Sequence, residues 1–353
     1  MDFTYNALPA RVIFGSGTLP RLPAELDRLG IERALVLTTP HQEADAQAIA
    51  RLISRRAAGV YTGAVMHTPS DVTDDAVALA RTLGVNGLVA IGGGSTTGLS
   101  KAIALRTDLP QVIVPTTYAG SEMTPIIGET KDGKKVTQSS PGVLPETVVY
   151  DVDLTMTLPA KLSSTSGLNA IAHAVEALYA QDRNPVVSLM ALEAIKLLAT
   201  ALPMIVENPL HKEARVDALQ GAWLSGICLG SVGMALHHKL CHTLGGALNL
   251  PHAETHAVIL PHALAYNAVA VPDVMSRLGE ALGTDNVPLF FYELAGRVGA
   301  DRSLRALGMD ESGVNVAADG TLANPYWNPR PLDKMEIEAL LRRAFNGEPP
   351  HVR

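Results

Sequence analysis

Up to about residue 154, short apolar and β-branched runs alternate with segments of helical spacing; beyond it, strand signals almost vanish. Arg11–Phe14, Ala34–Thr38, Gly59–His67, Gly87–Ile91, Gln111–Pro115 and Val148–Asp153 read as strands. Between them, 20–29, 44–56, 72–83 and 97–105 carry apolar residues at helical intervals. Such alternation packs as a parallel sheet with helices on both faces. An α/β domain is therefore expected over residues 1–154 and an all-α domain over 155–353. Ala/Leu-rich helices are predicted near 159–181, 185–205, 211–230, 232–248, 253–270, 272–282, 286–298 and 332–346. No Gly/Ser-rich linker separates the halves, so a close junction with a cleft is expected.

A chain of 353 residues can bury two real cores. With 47% hydrophobic and 18% charged residues it has a globular composition. A formal charge of −7 argues against a nucleic-acid surface. Cys228 and Cys241, in apolar or His-rich context, read as small core residues and suggest neither a disulfide framework nor a zinc finger. No cationic and apolar leader opens the sequence, and its apolar runs break before the roughly 18 residues of a membrane span. A cytoplasmic protein without membrane or nucleic-acid partners is the expectation.

Strand 87–91 runs into Gly92-Gly93-Gly94-Ser95-Thr96-Thr97-Gly98 and then a helix. Glycines permit a sharp turn and close approach of a ligand to backbone. Ser95 or Thr96 is expected to cap the helix, whose free N–H groups favour a phosphate. The turn matches neither of the generic nucleotide fingerprints, so it does not name its ligand. Pro115-Thr116-Thr117-Tyr118-Ala119-Gly120-Ser121 follows the next strand. In open parallel sheets ligands gather at the carboxyl ends of strands, where both segments fall.

The second half holds the histidines. Six of eleven lie between His237 and His262. Upstream, Asn169 and His173 stand four residues apart, on one face of a helix. With His238 and His252 they have the look of a metal site, yet Asn169 is an amide where a carboxylate would hold a cation better. His237 cannot share a site with its neighbour His238, because adjacent helical residues diverge by about 100°. His256 and His262 read as structural or rim residues.

These features together resemble the iron-containing (group III) alcohol dehydrogenases. The likeness rests on Phe14-Gly15-Ser16-Gly17, Gly92–Ser95, Pro115–Thr117, the Asn169/His173 helix, and the His238…His242…Pro251-His252 segment. It implies a Rossmann-like dinucleotide-binding domain followed by a helical domain carrying a tetrad of one Asp and three His. By position the tetrad falls on Asn169, His173, His238 and His252. The Asn, with Gly98 where metal-dependent members carry Asp, resembles the maleylacetate reductase branch. That resemblance implies reduction of the conjugated double bond of maleylacetate to 3-oxoadipate in aromatic catabolism, with no required metal. NADH is the implied donor. Thr38-Thr39-Pro40 offers no acid to repel a 2′-phosphate, so NADPH should also be accepted.

The site expected on this footing has Thr39, Gly92, Gly93, Gly94, Ser95, Thr116, Thr117 and Ser121 on the cofactor. Asn169, Lys239, Tyr326 and Arg330 would face a small dicarboxylate substrate, Arg330 through its fork-shaped guanidinium. His173, His238, His242, His252 and Tyr118 would be catalytic. Imidazole N–H groups of His238, His242 or His252 would stabilise the enolate oxygen in place of a cation. His242, beside the tetrad without belonging to it, is the favoured proton donor. A homodimer is expected, with strand 11–14 extending a sheet across subunits. Two alternatives stay open: a metal-dependent alcohol dehydrogenase with Asn169 as an oxygen ligand, and a dehydroquinate-synthase-like lyase.

Overall fold

A computed structural model describes residues 3–8, 10–131 and 134–352. They fall into two compact units, one covering Ala7–Leu158 and the other made of the residues before Ala7 together with those from Pro159 onward.

The first unit is built on strands β1 (Arg11–Gly15), β2 (Ala34–Leu37), β3 (Ala57–Tyr61), β4 (Gly87–Gly92), β5 (Gln111–Pro115) and β8 (Thr147–Asp151). They form one parallel sheet in the order β1-β8-β5-β4-β2-β3. Helices α1 (Leu22–Arg28), α2 (Glu43–Ile53), α3 (Ser70–Thr82) and α4 (Gly94–Thr107) connect them. β2, β4, β5 and β8 are buried along their whole length, which is why they read as continuous apolar runs. One apolar cluster joins Leu22, Leu26 and Ile49 to Val36, Val89 and Val114. A separate one joins Val77 and Ile103 to Leu35, Leu88 and Ile113, so the sheet is covered on both faces. After β3 the chain order jumps back across β2 to β4, which opens a crevice at the carboxyl ends of β2 and β4.

Two features differ from expectation. β3 ends at Tyr61, well before His67, and the backbone turns through positive φ at His67 and Thr68. An antiparallel hairpin of β6 (Ile126–Lys131) and β7 (Lys134–Ser139) stands apart from the main sheet. Its polar sequence carries little strand signal.

The second unit is helical: α5 (Ala160–Tyr179), α6 (Pro185–Glu207), α7 (Lys212–Ser231), α8 (Leu236–Leu248), α9 (His252–Asn267), α10 (Pro272–Leu282), α11 (Val287–Arg297), α12 (Gly313–Ala323) and α13 (Lys334–Asn346). α5 is buried nearly all round, as a helix apolar on every face must be. It packs against α6, α7 and α9. On length and composition α6 meets the requirement for a membrane span, contrary to the sequence expectation. Its Ile195, Leu198, Leu202 and Ile205 are buried, as they would be in a core helix. α12 was not foreseen, because Gly313, Gly320, Asn315 and Asp319 dilute its helical pattern.

Candidate active site

In the α/β unit, the expected cofactor residues meet at the crevice between β2 and β4. Gly92 closes β4 with φ +151°, and a Cβ there would lie 2.4 Å from Thr96 Oγ1. At Gly93 a Cβ would come within 2.9 Å of Thr117. Only glycine lets the backbone pass here. The Thr116 N–H donates to the Gly92 carbonyl at 3.0 Å, which ties the two polar segments together. From the β2 side, Thr38 Oγ1 donates to the Ile91 carbonyl at 2.9 Å, and Gln42 Nε2 to Thr116 Oγ1 at 3.2 Å. Thr39 lies between these two anchors in the chain.

Gly93, not Ser95 or Thr96, occupies the N-cap of α4 and gives no side-chain cap. Both hydroxyl residues fall inside the first turn, and Thr96 Oγ1 is buried without a partner. Ser121 is held by a residue the sequence reading passed over. The buried Lys101 ammonium donates to the Ser121 carbonyl, to Thr124 O at 2.7 Å and to Ile126 O at 2.9 Å. Burial pushes this lysine down to about 7, against the pull of Glu122. Tyr118 also belongs to this unit and is wholly buried.

In the helical unit, α5, α8 and α9 bring six imidazoles together, and His237, expected to face away from His238, joins them with its ring 5.2 Å from that of His238. Asn169 and His173 lie on one face of α5, with Asn169 Nδ2 3.2 Å from His173 Nε2. His173 Nδ1 lies 2.7 Å from His238 Nε2 on α8, their rings stacked at 4.9 Å. Asn249, with left-handed φ of 53°, ends α8 and Pro251 precedes α9, so the chain turns back on itself. That turn stacks His252 over His242 at 6.4 Å between centroids.

Of the two expectations for His256, structural or rim, burial removes the rim reading. It is wholly buried, with its ring 4.4 Å from His252, 5.0 Å from His238 and 4.8 Å from His237. Placed one turn after His252, it enters the same cluster for the reason that Asn169 and His173 share a face. His237 Nε2 is 2.8 Å from His256 Nδ1 and 3.7 Å from Cys241 Sγ. Burial, with the neighbouring imidazoles, holds His237 and His256 well below the ordinary histidine range.

The sequence reading also missed Glu176, one turn beyond His173 on α5. Its carboxylate is wholly buried and accepts from His238 Nδ1, the Ala235 N–H and the His237 N–H, each at 2.7 Å. The i, i+4, i+7 spacing of Asn169, His173 and Glu176 was the available signal.

His242 is only partly buried, and its Nδ1 lies 3.0 Å from the Tyr326 hydroxyl. Lys239 Nζ stands 5.7 Å from the Tyr326 ring. These three expected residues thus meet. Arg330 does not join them, and its assignment to a substrate carboxylate is corrected. Its guanidinium forms a two-pronged pair with Glu336 at 2.7 Å, donates to the Tyr266 carbonyl and stacks on the Tyr266 ring.

His262 also lies apart, buried, with Nε2 lacking a partner. Burial, with Arg343 adding to it, pushes this imidazole down to about 4 from 6.5. The unfolded chain therefore takes up a proton between these two values that the native state refuses. Stability should fall as pH drops from 6.5 towards 4. Urea titrations across that range test this, and His262→Leu should flatten the decline; a parallel decline in the variant would assign it elsewhere.

Two family models match the chain. The iron-containing alcohol dehydrogenase model covers residues 9–152, and the C-terminal model of the Fe-containing alcohol dehydrogenase family covers 163–345. The chain is 54% identical over 348 residues to a maleylacetate reductase of Rhizobium sp., covering 99% of each. It is similar to the crystal structure of maleylacetate reductase from Agrobacterium tumefaciens, with TM-score 0.96, 52% identity, and coverage of 99% and 100%. An iron-containing alcohol dehydrogenase from Corynebacterium glutamicum superposes with TM-score 0.94 at 42% identity, covering 99% of this chain and 98% of that one.

These matches overturn the expectation that no metal is required, since the family implies a metal cofactor. The substitute offered for it fails at His238 on physical grounds. With Nδ1 committed to Glu176 and Nε2 to His173, that ring has no N–H left for an enolate oxygen. The donor set suits a divalent transition metal. Imidazoles are good ligands for iron and zinc, and Asn169 Oδ1 is a buried oxygen with no hydrogen-bond partner. Matched through both of its halves, the chain belongs to the iron-containing alcohol dehydrogenase family.

Proposed function

We propose that this enzyme uses NADH or NADPH to reduce the conjugated double bond of maleylacetate, giving 3-oxoadipate in aromatic catabolism. The observation that carries the reading is full-length likeness, at 52–54% identity, to proteins named maleylacetate reductase. The amide at position 169 and Gly98 support the same branch. A Cβ at Gly98 would lie 2.5 Å from Thr68 Oγ1, so the Asp of other family members would have to displace that hydroxyl.

The reaction adds a hydride to the carbon β to the ketone and a proton to the α carbon. His242 supplies the proton, being partly exposed and paired with the Tyr326 hydroxyl. Burial, and then the charge of Glu176, raises that tyrosine, so it keeps its own proton. Lys239, also partly exposed, suits a substrate carboxylate. Asn169, His173, His238 and His252 would hold the metal, which would take the place of the hydrogen bonds that now join Asn169, His173 and His238 and would supply positive charge for the ketone oxygen as it becomes an enolate.

Oxidation of NADH with freshly generated maleylacetate, after dialysis against Fe²⁺ or Zn²⁺, tests the reading. Turnover of short aldehydes with none of maleylacetate would sink it. Gly93→Ala pushes a methyl against Thr117 and should raise the KM for NADH roughly tenfold, about 1.4 kcal/mol of binding. An unchanged KM would separate the glycine turn from the cofactor.

The homodimer belongs to the same proposal. β1 pairs with β8 on one side only, among the described residues, and its outer edge can accept a second strand. Light scattering that returned a monomer would remove this part.

A further inference from the structure

We propose that Glu176 is a positioning residue that fixes the tautomer of His238 and, through it, the direction of the whole Asn169–His173–His238 row. The row has an unambiguous polarity because its two ends are of opposite kind. At one end the Asn169 amide nitrogen, which can only donate, faces His173 Nε2 at 3.2 Å. At the other end an acceptor-only carboxylate faces His238 Nδ1 at 2.7 Å. The middle contact, His173 Nδ1 to His238 Nε2 at 2.7 Å, then has one consistent reading. Each ring carries its proton on Nδ1, and each Nε2 presents a lone pair towards Asn169's end of the row.

The placement of Glu176 explains why a buried carboxylate can hold this post without a cationic side chain. α8 begins at Leu236 with Ala235 as its N-cap, so it lacks a capping side chain of its own. Glu176 supplies the missing acceptor from α5, taking the Ala235 and His237 N–H groups at 2.7 Å each. An anion at a helix N-terminus is favoured by the free N–H groups and by the dipole. The Tyr179 hydroxyl adds a further bond to the same carboxylate. Every group around Glu176 is thus a donor, and only a carboxylate can accept from all of them.

Glutamine is the informative change, because it keeps the shape and replaces one acceptor with a donor. With its NH₂ towards His238, the imidazole proton is driven to Nε2 and the lone pair is lost from the row. With its NH₂ towards His237 N, an N–H of α8 is orphaned. Aspartate keeps the charge at a shorter reach and should retain the tautomer. The inference rests on the reading of His238 as a site residue, but its first readout does not depend on activity.

Long-range ¹H–¹⁵N correlation spectra of the imidazoles report the tautomer directly. In the wild-type protein His238, assigned through His238→Gln, should be the Nδ1–H form; an Nε2–H form would overturn the proposal before any Glu176 variant is made. Glu176→Gln should move His238 towards Nε2–H and lower kcat by about 10–100-fold with little change in the KM for NADH. Glu176→Asp should restore the Nδ1–H signature and part of kcat. An unshifted His238 signature in folded Glu176→Gln would overturn the positioning role. Absence of maleylacetate turnover in the wild type, with the expected signatures present, would strike the proposed substrate and leave the tautomer assignment standing.

Discussion

Replacing His242 with alanine should lower turnover with maleylacetate by about 10²–10⁴-fold, the range of a lost general acid. His173, His237, His238 and His256 are wholly or almost wholly buried, whereas His242 and His252 retain exposure. Of these two, the family resemblance places His252 in the metal tetrad and leaves His242 beside it. The Tyr326 hydroxyl, which burial keeps protonated, can donate to His242 Nδ1 at 3.0 Å. The same oxygen can accept from Nδ1 when the ring is the imidazolium, the form that gives up a proton from Nε2 and returns to neutral imidazole. Tyr326→Phe removes that donor without removing the imidazole, so it should cost less than His242→Ala. The KM for NADH should move little in either variant. Steady-state and single-turnover rates on both variants check this, and an unchanged kcat in His242→Ala would remove the residue from the mechanism.

How far such residues can be found in a sequence depends on how local their signals are. Asn169 and His173 announced themselves by helical spacing, and Gly92–Gly94 by the turn that follows a buried strand. The parallel sheet was legible because β2, β4, β5 and β8 are apolar along their length. Glu176 was not read as a site residue, although it shares the Asn169 face. Its importance comes from the N-terminus of α8, 59 residues away, whose missing cap shows only in three dimensions. Arg330 failed in the opposite way. A fork-shaped guanidinium suggested a substrate dicarboxylate, but Glu336, six residues along the chain, already pairs with it. His256 reads in the sequence as a structural or rim residue, although its place one turn after His252 on α9 was a signal for the cluster.

Asn169→Asp should give a protein that is less stable than the wild type without metal and binds Zn²⁺ or Fe²⁺ more tightly. In the native row the amide Nδ2 donates to His173 Nε2, and Oδ1 is buried without a partner. Aspartate fills the same space but donates nothing. It would set a buried anion against the lone pair of His173, an arrangement that costs several kcal/mol unless something neutralises it. A divalent cation is the natural remedy, because an anionic oxygen joins imidazoles already in place and strengthens the set. Affinity should rise by roughly 10–100-fold, the scale on which changes around a metal site act. Since metal binds the folded state, saturating Zn²⁺ should recover the lost Tm in the variant and raise it less in the wild type. Isothermal titration and thermal melts of both proteins, with and without chelator, measure the two effects. Equal weak binding by both would mean that Asn169, His173, His238 and His252 do not act as one ligand set. A variant as stable as the wild type in chelator would mean that the Asn169 amide does not anchor the row.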